Sequence, residues 1–227
     1  ASAMEGIDKD NNLRAAVLCS QGKSFCAGAN FNSDGTSSNQ SGGSDSADRS
    51  SHLYVEAVRL FATKTPIIGA IQGAAIGGGF GLSLVPDFRV ACPESRFAAN
   101  FTRLGFHPGF GLTHTLPSLI GHQKASLMFY TSRRIKGPEA YDWGLADMLV
   151  PLDEVRQSAI NLAQEIAENS PLGVIETRAT MRQGLADRVR KATDHELIVQ
   201  NKLRNTEDFK EGIRAVSERR VPNFTGS

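Results

Sequence analysis

The chain's 227 residues are 40 % hydrophobic, and 25 basic against 24 acidic side chains leave a net charge of +1. That is enough chain for one large domain, or one domain with a small appendage, and the near-cancelling charge excludes a broad nucleic-acid-binding face or a polybasic membrane anchor. Three cysteines, Cys19, Cys26 and Cys92, lack metal-ligand spacing and read as reduced, buried thiols of a cytoplasmic protein, while no apolar run nears the roughly 20 residues that span a bilayer.

Leu13 to Ser20, "LRAAVLCS", is almost continuously apolar and predicts a strand covered on both faces. "GKSFCAGANF" follows a glycine turn. The tract from Asn32 to His52 is dominated by Ser, Gly, Asn and Asp and predicts a mobile loop, either a passive insertion or a flap over a ligand site. From Leu53 to Thr63, Leu53, Val55, Ala57, Val58, Leu60 and Phe61 form an approximate helical stripe, with Pro66 just beyond it. "IIGAIQG" then predicts a buried strand, "GGGFGLSLV" a helix and "DFRVACP" a strand. "FAANFTRLGFHPGFGLTHTLPSLIG" reads as a strand, a glycine-proline loop and a helix. Strand and helix signals therefore alternate. After Pro151 the pattern changes to long helices, "LDEVRQSAINLAQEIAEN", "GVIETRATMRQGLADRVRKATDHELIVQNKLRN" and "EDFKEGIRAVSERR". This divides the chain into 1–152 and a helical 153–227 without a flexible linker.

Three consecutive glycines, Gly77 to Gly79, stand where a strand gives way to a helix. The first N–H groups of a helix lack internal partners and carry partial positive charge. Without a Cβ, glycine lets a bulky ligand bring one oxygen to such an amide. Tight packing of a helix on a sheet explains a glycine run equally simply.

Gly22 to Phe31, "GKSFCAGANF", taken with Gly77 to Gly79, resembles the crotonase (enoyl-CoA hydratase/isomerase) superfamily. The resemblance continues through "PIIGAIQGAAIGGGFGLSLVPDFRVA", "FAANFTRLGFHPGFG", "GPEAYDWGLADMLVP" and the final "EDFKEGIRAVSERRVPNFTG". It implies an α/β fold, a crotonase-like spiral of strand-strand-helix units with a helical C-terminal trimerisation region. It also implies an acyl-CoA thioester substrate, no cofactor beyond that coenzyme A moiety, and a homotrimer or hexamer. Ala29 and Gly78 would each donate a backbone N–H to the thioester oxygen, forming an oxyanion hole for an enolate. Lys23, Ala27, Ala29, Asn30, Phe31 and Gly78 would contact the coenzyme A thioester. Family members usually begin with a strand hairpin, whereas "ASAMEGIDKDNNLRAAVL" reads as starting inside the helix that follows it, as expected of a fragment or of a first segment lost, disordered or left out of the numbering.

The acid/base positions depart from the family. Its hydratases use two glutamates to position and deprotonate one water, and here those positions are Gly81 and Phe101. An aspartate used by some members corresponds to Phe110, and a decarboxylase tyrosine to Pro108. The resemblance thus implies thioester enolate chemistry without ordinary two-glutamate hydration. His107, in "GFHPGFG", is the candidate replacement because imidazole titrates near neutral pH. Its alternative is a loop histidine bonded to backbone or water. His114 would need a third ligand to make a metal pair with His107, and none is apparent, so no metal is expected. Asn100 could orient a water or carbonyl. Glu56, Asp34 and Asp45 lie in or beside the polar tract, and Asp87 reads as a backbone-bonding structural group. Phe80, Phe101, Phe106 and Phe110 would line an apolar pocket or simply pack the core. Function reads as an acyl-CoA isomerase, decarboxylase or hydrolase with a different acid/base, or as a non-catalytic acyl-CoA-binding protein that keeps only the hole.

Overall fold

The computed structural model describes residues 1–28 and 45–227, with side chains described from 53 onward in the second stretch. Ala29, Asn30 and Phe31, with the polar tract as far as residue 44, lie outside the described residues, as do the side chains of Asp34 and Asp45. A short helix α1 (Ser2–Ile7) leads to β1 (Ala16–Leu18). Helix α2 (Asp45–Phe61) begins eight residues before the end of the tract expected to be loop, so its polar first turns are helical. Their apolar content is too low to show a buried stripe, which is why a stripe reading starts only at Leu53.

The apolar run after Pro66 splits into β2 (Ile67–Ile71) and β3 (Ala74–Ile76). Gly73, with φ +66°, turns the chain between them, and a Cβ there would stand 1.9 Å from the Lys23 carbonyl oxygen. Only glycine fits. There follow α3 (Gly78–Ser83), β4 (Phe88–Ala91) and β5 (Arg96–Ala98), then α4 (Leu112–Ile120) and α5 (His122–Thr131). The chain continues through β6 (Arg134–Lys136), α6 (Gly137–Asp142) and β7 (Met148–Leu149). Four helices complete it: α7 (Val155–Ala167), α8 (Pro171–Met181), α9 (Leu185–Leu203) and α10 (Glu207–Ser217). The single long helix expected over "GVIETRATMRQGLADRVRKATDHELIVQNKLRN" breaks at Gly184, whose φ of 70° is left-handed.

One sheet has the order β1-β2-β4-β7 with every neighbour parallel. The other has β3-β5-β6, with β3 and β5 parallel and β6 antiparallel. The chain crosses from the first sheet to the second between β2 and β3 and again between β4 and β5, so successive strand pairs wind as a spiral. Cys26 extends the second sheet by a parallel bridge to Ala75.

Three buried clusters hold these layers. Phe80, Phe97, Leu112, Leu116, Met128 and Ile135 pack between the second sheet and α3 to α5. Tyr54, Val58, Phe61, Ile67, Phe110 and Val189 join α2, β2 and α9. Ile68, Ala70, Val90, Val155 and Ala159 seat α7 on the far face of the first sheet. Among the described residues no helix is long and apolar enough to cross a membrane.

Candidate active site

Gly77 closes β3 with φ 57° and ψ −121°, a conformation that costs glycine little and other residues much. Its N–H donates to Ala98 O at 2.9 Å, and its own carbonyl accepts from Phe80 N at 3.0 Å and Gly81 N at 3.1 Å. Both ends of the turn are thus tied to β5 and α3. Gly78, the first residue of α3, is left out: its N–H has no acceptor among the described residues, and a Cβ placed on it would meet nothing within 4 Å. Since α3 has only six residues, any pull of the turn on a negative oxygen would rest on this one N–H more than on a helix dipole.

The other two glycines serve packing. A Cβ on Gly79 would lie 2.1 Å from Cys26 O, and one on Gly81 would lie 2.6 Å from the Phe110 Cβ and ring. The packing reading of the run holds at Gly79 and Gly81, while at Gly78 nothing among the described residues stands within 4 Å of a Cβ.

The "GKSFCAGANF" stretch meets this turn. Cys26 N donates to Ala74 O at 2.9 Å and Cys26 O accepts from Ile76 N at 3.0 Å. Gly28, with φ +83°, is so close that a Cβ would reach within 2.7 Å of Ile76 O. Sequence segments some 50 residues apart are thereby placed side by side, with Gly28 immediately before Ala29. Ala27 is exposed beside them. Lys23 sits at the other end of β3, beside Gly73, about 13 Å of extended chain from Gly77 at roughly 3.3 Å per residue.

Asn100 and Phe101 face the turn from the end of β5. A Cβ on Gly77 would stand 3.4 Å from Asn100 Oδ1 and 3.9 Å from Phe101 Cζ. Phe101 meets Phe106 edge-on at 5.5 Å, and Phe106 meets Phe209 of α10 at 5.3 Å. Phe110 is buried against α3 and Val58. Phe80 does not line a pocket: it is fully buried and packs on Phe97 at 5.8 Å. The walls around Gly78 supplied by residues 100–110 are thus aromatic and amide, with no carboxylate at position 81 or 101.

His107 is half-buried in this stretch. Its Nδ1 lies 2.8 Å from Pro108 O and its ring stands edge-on to His195 at 6.2 Å. Its carbonyl accepts from Gln200 Nε2 at 2.8 Å. Burial, and secondarily the nearby Arg188, lowers the His114 pKa below its ordinary value, and among the described residues no group of three or more metal-ligating side chains forms.

A buried network from α9 holds the same stretch, and sequence reasoning missed it. Glu196, fully buried, accepts from Gly111 N at 2.7 Å, Thr113 N at 3.0 Å and Thr113 Oγ1 at 2.6 Å. It supplies the start of α4 with the cap that Gly111 lacks. Burial raises its pKa above the ordinary carboxylate value, against the lowering effect of those hydrogen bonds and of His107. Gln200 accepts from Tyr54 OH at 2.7 Å. Burial, then Glu196, raises the Tyr54 pKa. The signal was in the spacing: Val189, Thr193, Glu196 and Gln200 share the one buried stripe of α9, so polar residues occupy positions where a stripe should be apolar.

Asp87 is structural, as its position suggested. It accepts from Ile67 N at 2.9 Å, Arg178 Nε at 2.9 Å and Arg182 Nη1 at 2.7 Å, pinning α8 to the ends of β2 and β4.

A family model described as enoyl-CoA hydratase/isomerase matches residues 1–227. A probable mitochondrial enoyl-CoA hydratase 2 of Arabidopsis thaliana is 32 % identical over all of this chain and 74 % of its own length. A carnitinyl-CoA dehydratase of Proteus mirabilis is 31 % identical over 96 % of this chain and 83 % of its own. Among solved structures, an enoyl-CoA hydratase/isomerase from Pseudoalteromonas atlantica superposes with a TM-score of 0.84 at 25 % identity, covering 99 % of this chain and 86 % of that one. An enoyl-CoA hydratase from Bacillus anthracis gives 0.72 at 31 % identity, covering 100 % and 86 %.

Proposed function

From the premise that the chain belongs to the enoyl-CoA hydratase/isomerase family and is an enzyme of that kind with the crotonase fold, we propose that it stabilises a thioester enolate without performing two-glutamate hydration. In this reading the oxygen of an acyl-CoA thioester accepts from Gly78 N–H and from Ala29 N–H. A base removes a proton from the α-carbon, the electron pair moves onto the oxygen, and the same or another group returns the proton elsewhere.

The observation that carries this reading is the contrast between the open Gly78 and the closed Gly81. Among the described residues the Gly78 N–H has no acceptor and nothing fills the space beside it, whereas the space that a glutamate at 81 would need is filled by Phe110. A second carboxylate at 101 is replaced by a buried phenyl ring. The apolar surround disfavours holding an attacking water and favours proton shifts within the substrate, as in double-bond isomerisation.

Proton transfer is assigned to His107. Supporting this, the contacts of Phe106 with Phe101 and of Phe110 with Gly81 bring residues 106–110 against the turn. The His107 ring lies against Pro108 O and His195, so a rotation of the imidazole toward the α-carbon is part of the proposal. The coenzyme A contacts proposed for Lys23, Ala27, Asn30 and Phe31, the cytoplasmic location and the homotrimeric or hexameric assembly rest on the resemblance, with the three unpaired cysteines in keeping with a reducing compartment.

Mass spectrometry of coenzyme A products from 2-enoyl-, 3-enoyl-, hydroxyacyl-, malonyl- and aroyl-CoA tests the proposal. Conversion without uptake of water supports it. Hydration of crotonyl-CoA at rates ordinary for the family would overturn it. Tight binding with every thioester recovered unchanged would establish the non-catalytic alternative, which the absent glutamates favour.

A further inference from the structure

The segment from His107 to Thr113 carries a strained backbone. Phe110 has φ 64° and Gly111 φ 73°, two successive left-handed residues of which only the second is glycine. Such a conformation persists only where its surroundings over-determine it, and here the surroundings are side chains of α9 and α2. On one side of the turn Gln200 Nε2 donates to His107 O at 2.8 Å. On the other, Glu196 accepts from Gly111 N at 2.7 Å and Thr113 N at 3.0 Å. Between these, a Cβ on Gly109 would stand 1.9 Å from Tyr54 OH and 2.6 Å from Gln200 Nε2, so the segment rests directly on both side chains.

Gln200 is 1 % exposed and Tyr54 8 %, and the bond between them sets the direction of the amide. Burial raises the Tyr54 pKa, so its hydroxyl remains protonated at working pH, and it donates to Gln200 Oε1 at 2.7 Å. The NH2 end of the amide is thereby left for the His107 carbonyl, whereas a flipped amide would set two acceptor oxygens against each other. That carbonyl lies between two anchored aromatic residues, Phe106 on Phe101 and Phe110 on Gly81. The imidazole turns about bonds that start at the His107 Cα, so a fixed backbone there fixes the arc it can reach.

Resting on the assignment of proton transfer to His107, we propose that Gln200, oriented by Tyr54, is a positioning residue for that step: it holds the His107 backbone as the pivot from which the imidazole meets the α-carbon. Gln200 moves no proton itself and acts only through His107.

A double-mutant cycle on the full chain tests this, read by deuterium uptake at the α-carbon of a 3-enoyl-CoA in deuterium oxide, with thermal unfolding of every variant alongside. Gln200→Met keeps the length of the side chain and removes the donor, while Tyr54→Phe keeps the ring and removes only the hydroxyl. Each should lower kcat for the exchange about tenfold or more, since displacing a reacting group by about 1 Å can cost roughly 10²-fold, and should leave KM unchanged. In the His107→Ala background the same substitutions should have no further effect, a non-additivity that a general loosening of the core would not produce. Two results would overturn the proposal while leaving His107 in its role. One is a folded Gln200→Met or Tyr54→Phe protein with wild-type kcat, and the other is a loss fully additive with that of His107→Ala. Undiminished exchange in His107→Ala itself would instead remove His107 from proton transfer, and the proposal with it.

Discussion

Replacing Gly78 by proline removes one N–H group and puts a ring methylene in the place of its hydrogen. Gly78 is the first residue of α3, the helical position that proline occupies most readily because its N–H needs no intrahelical partner. That N–H has no acceptor among the described residues, and nothing stands within 4 Å of a Cβ there. Gly78→Pro should therefore unfold within about 1 kcal/mol of the wild type. If the N–H binds the developing oxyanion, its loss should lower kcat by about 10² to 10³, or roughly 2.7–4 kcal/mol of transition-state stabilisation. Gly78→Ala keeps the donor while adding a methyl group, so the difference between the two variants reads the lost donor together with the ring methylenes that replace its hydrogen, without the Cβ common to both. Turnover of a 3-enoyl-CoA and thermal unfolding, measured on all three proteins, provide the assay. A folded Gly78→Pro protein with undiminished turnover would refute the assignment of Gly78.

The neighbouring glycines should behave oppositely. Gly79→Ala is expected to fold poorly because its methyl meets Cys26 O at 2.1 Å. Gly81→Ala should cost about 1–3 kcal/mol by overpacking on Phe110, and a double-mutant cycle with Phe110→Ala should recover much of that cost. Arg178→Ala breaks a buried pair with Asp87 and abandons the Thr63 and Lys64 carbonyls, and denaturant unfolding should show a loss of about 3–5 kcal/mol. Glu196→Gln sets an amide donor against Gly111 N–H or Thr113 N–H, costing about 1–3 kcal/mol at low pH. Because burial raises the Glu196 pKa above its ordinary 4.5, its contribution is fully present below that value and is lost as pH rises through the raised pKa. The gap in stability between wild type and Glu196→Gln should accordingly narrow with rising pH, and a gap that widened would show that the sign is wrong.

The alternation of buried runs and glycine turns made the strand-helix order visible because β2 is buried along its whole length and Gly73, Gly77 and Gly184 mark real reversals. Short elements escaped. A three-residue strand such as β6, alternating Arg134, Ile135 and Lys136, offers too little periodicity to be distinguished from a turn, and α5 carries no clear apolar stripe. The polar first turns of α2 were invisible for the same reason.

At the site, glycine spacing pointed to both the turn and the partnering stretch, since close backbone approach requires glycine whatever else varies. What spacing could not reveal was which glycine is open and which is packed. That depends on Cys26 and Phe110 arriving from distant segments. The contribution of α9, through Glu196 and Gln200, depends on a helix 85 residues from Gly111 folding back over it.

The central claim is that an enolate forms at the Gly78 turn without net addition of water. Incubation of the protein with a 3-enoyl-CoA in deuterium oxide, followed by mass spectrometry of the recovered thioesters, tests it most directly. Proton removal from the α-carbon and return from solvent should place deuterium in recovered substrate or in its 2-enoyl isomer, and Gly78→Pro should suppress that incorporation. Recovery of 3-enoyl-CoA both unlabelled and unisomerised, or rapid accumulation of the hydrated 3-hydroxyacyl product, would contradict it.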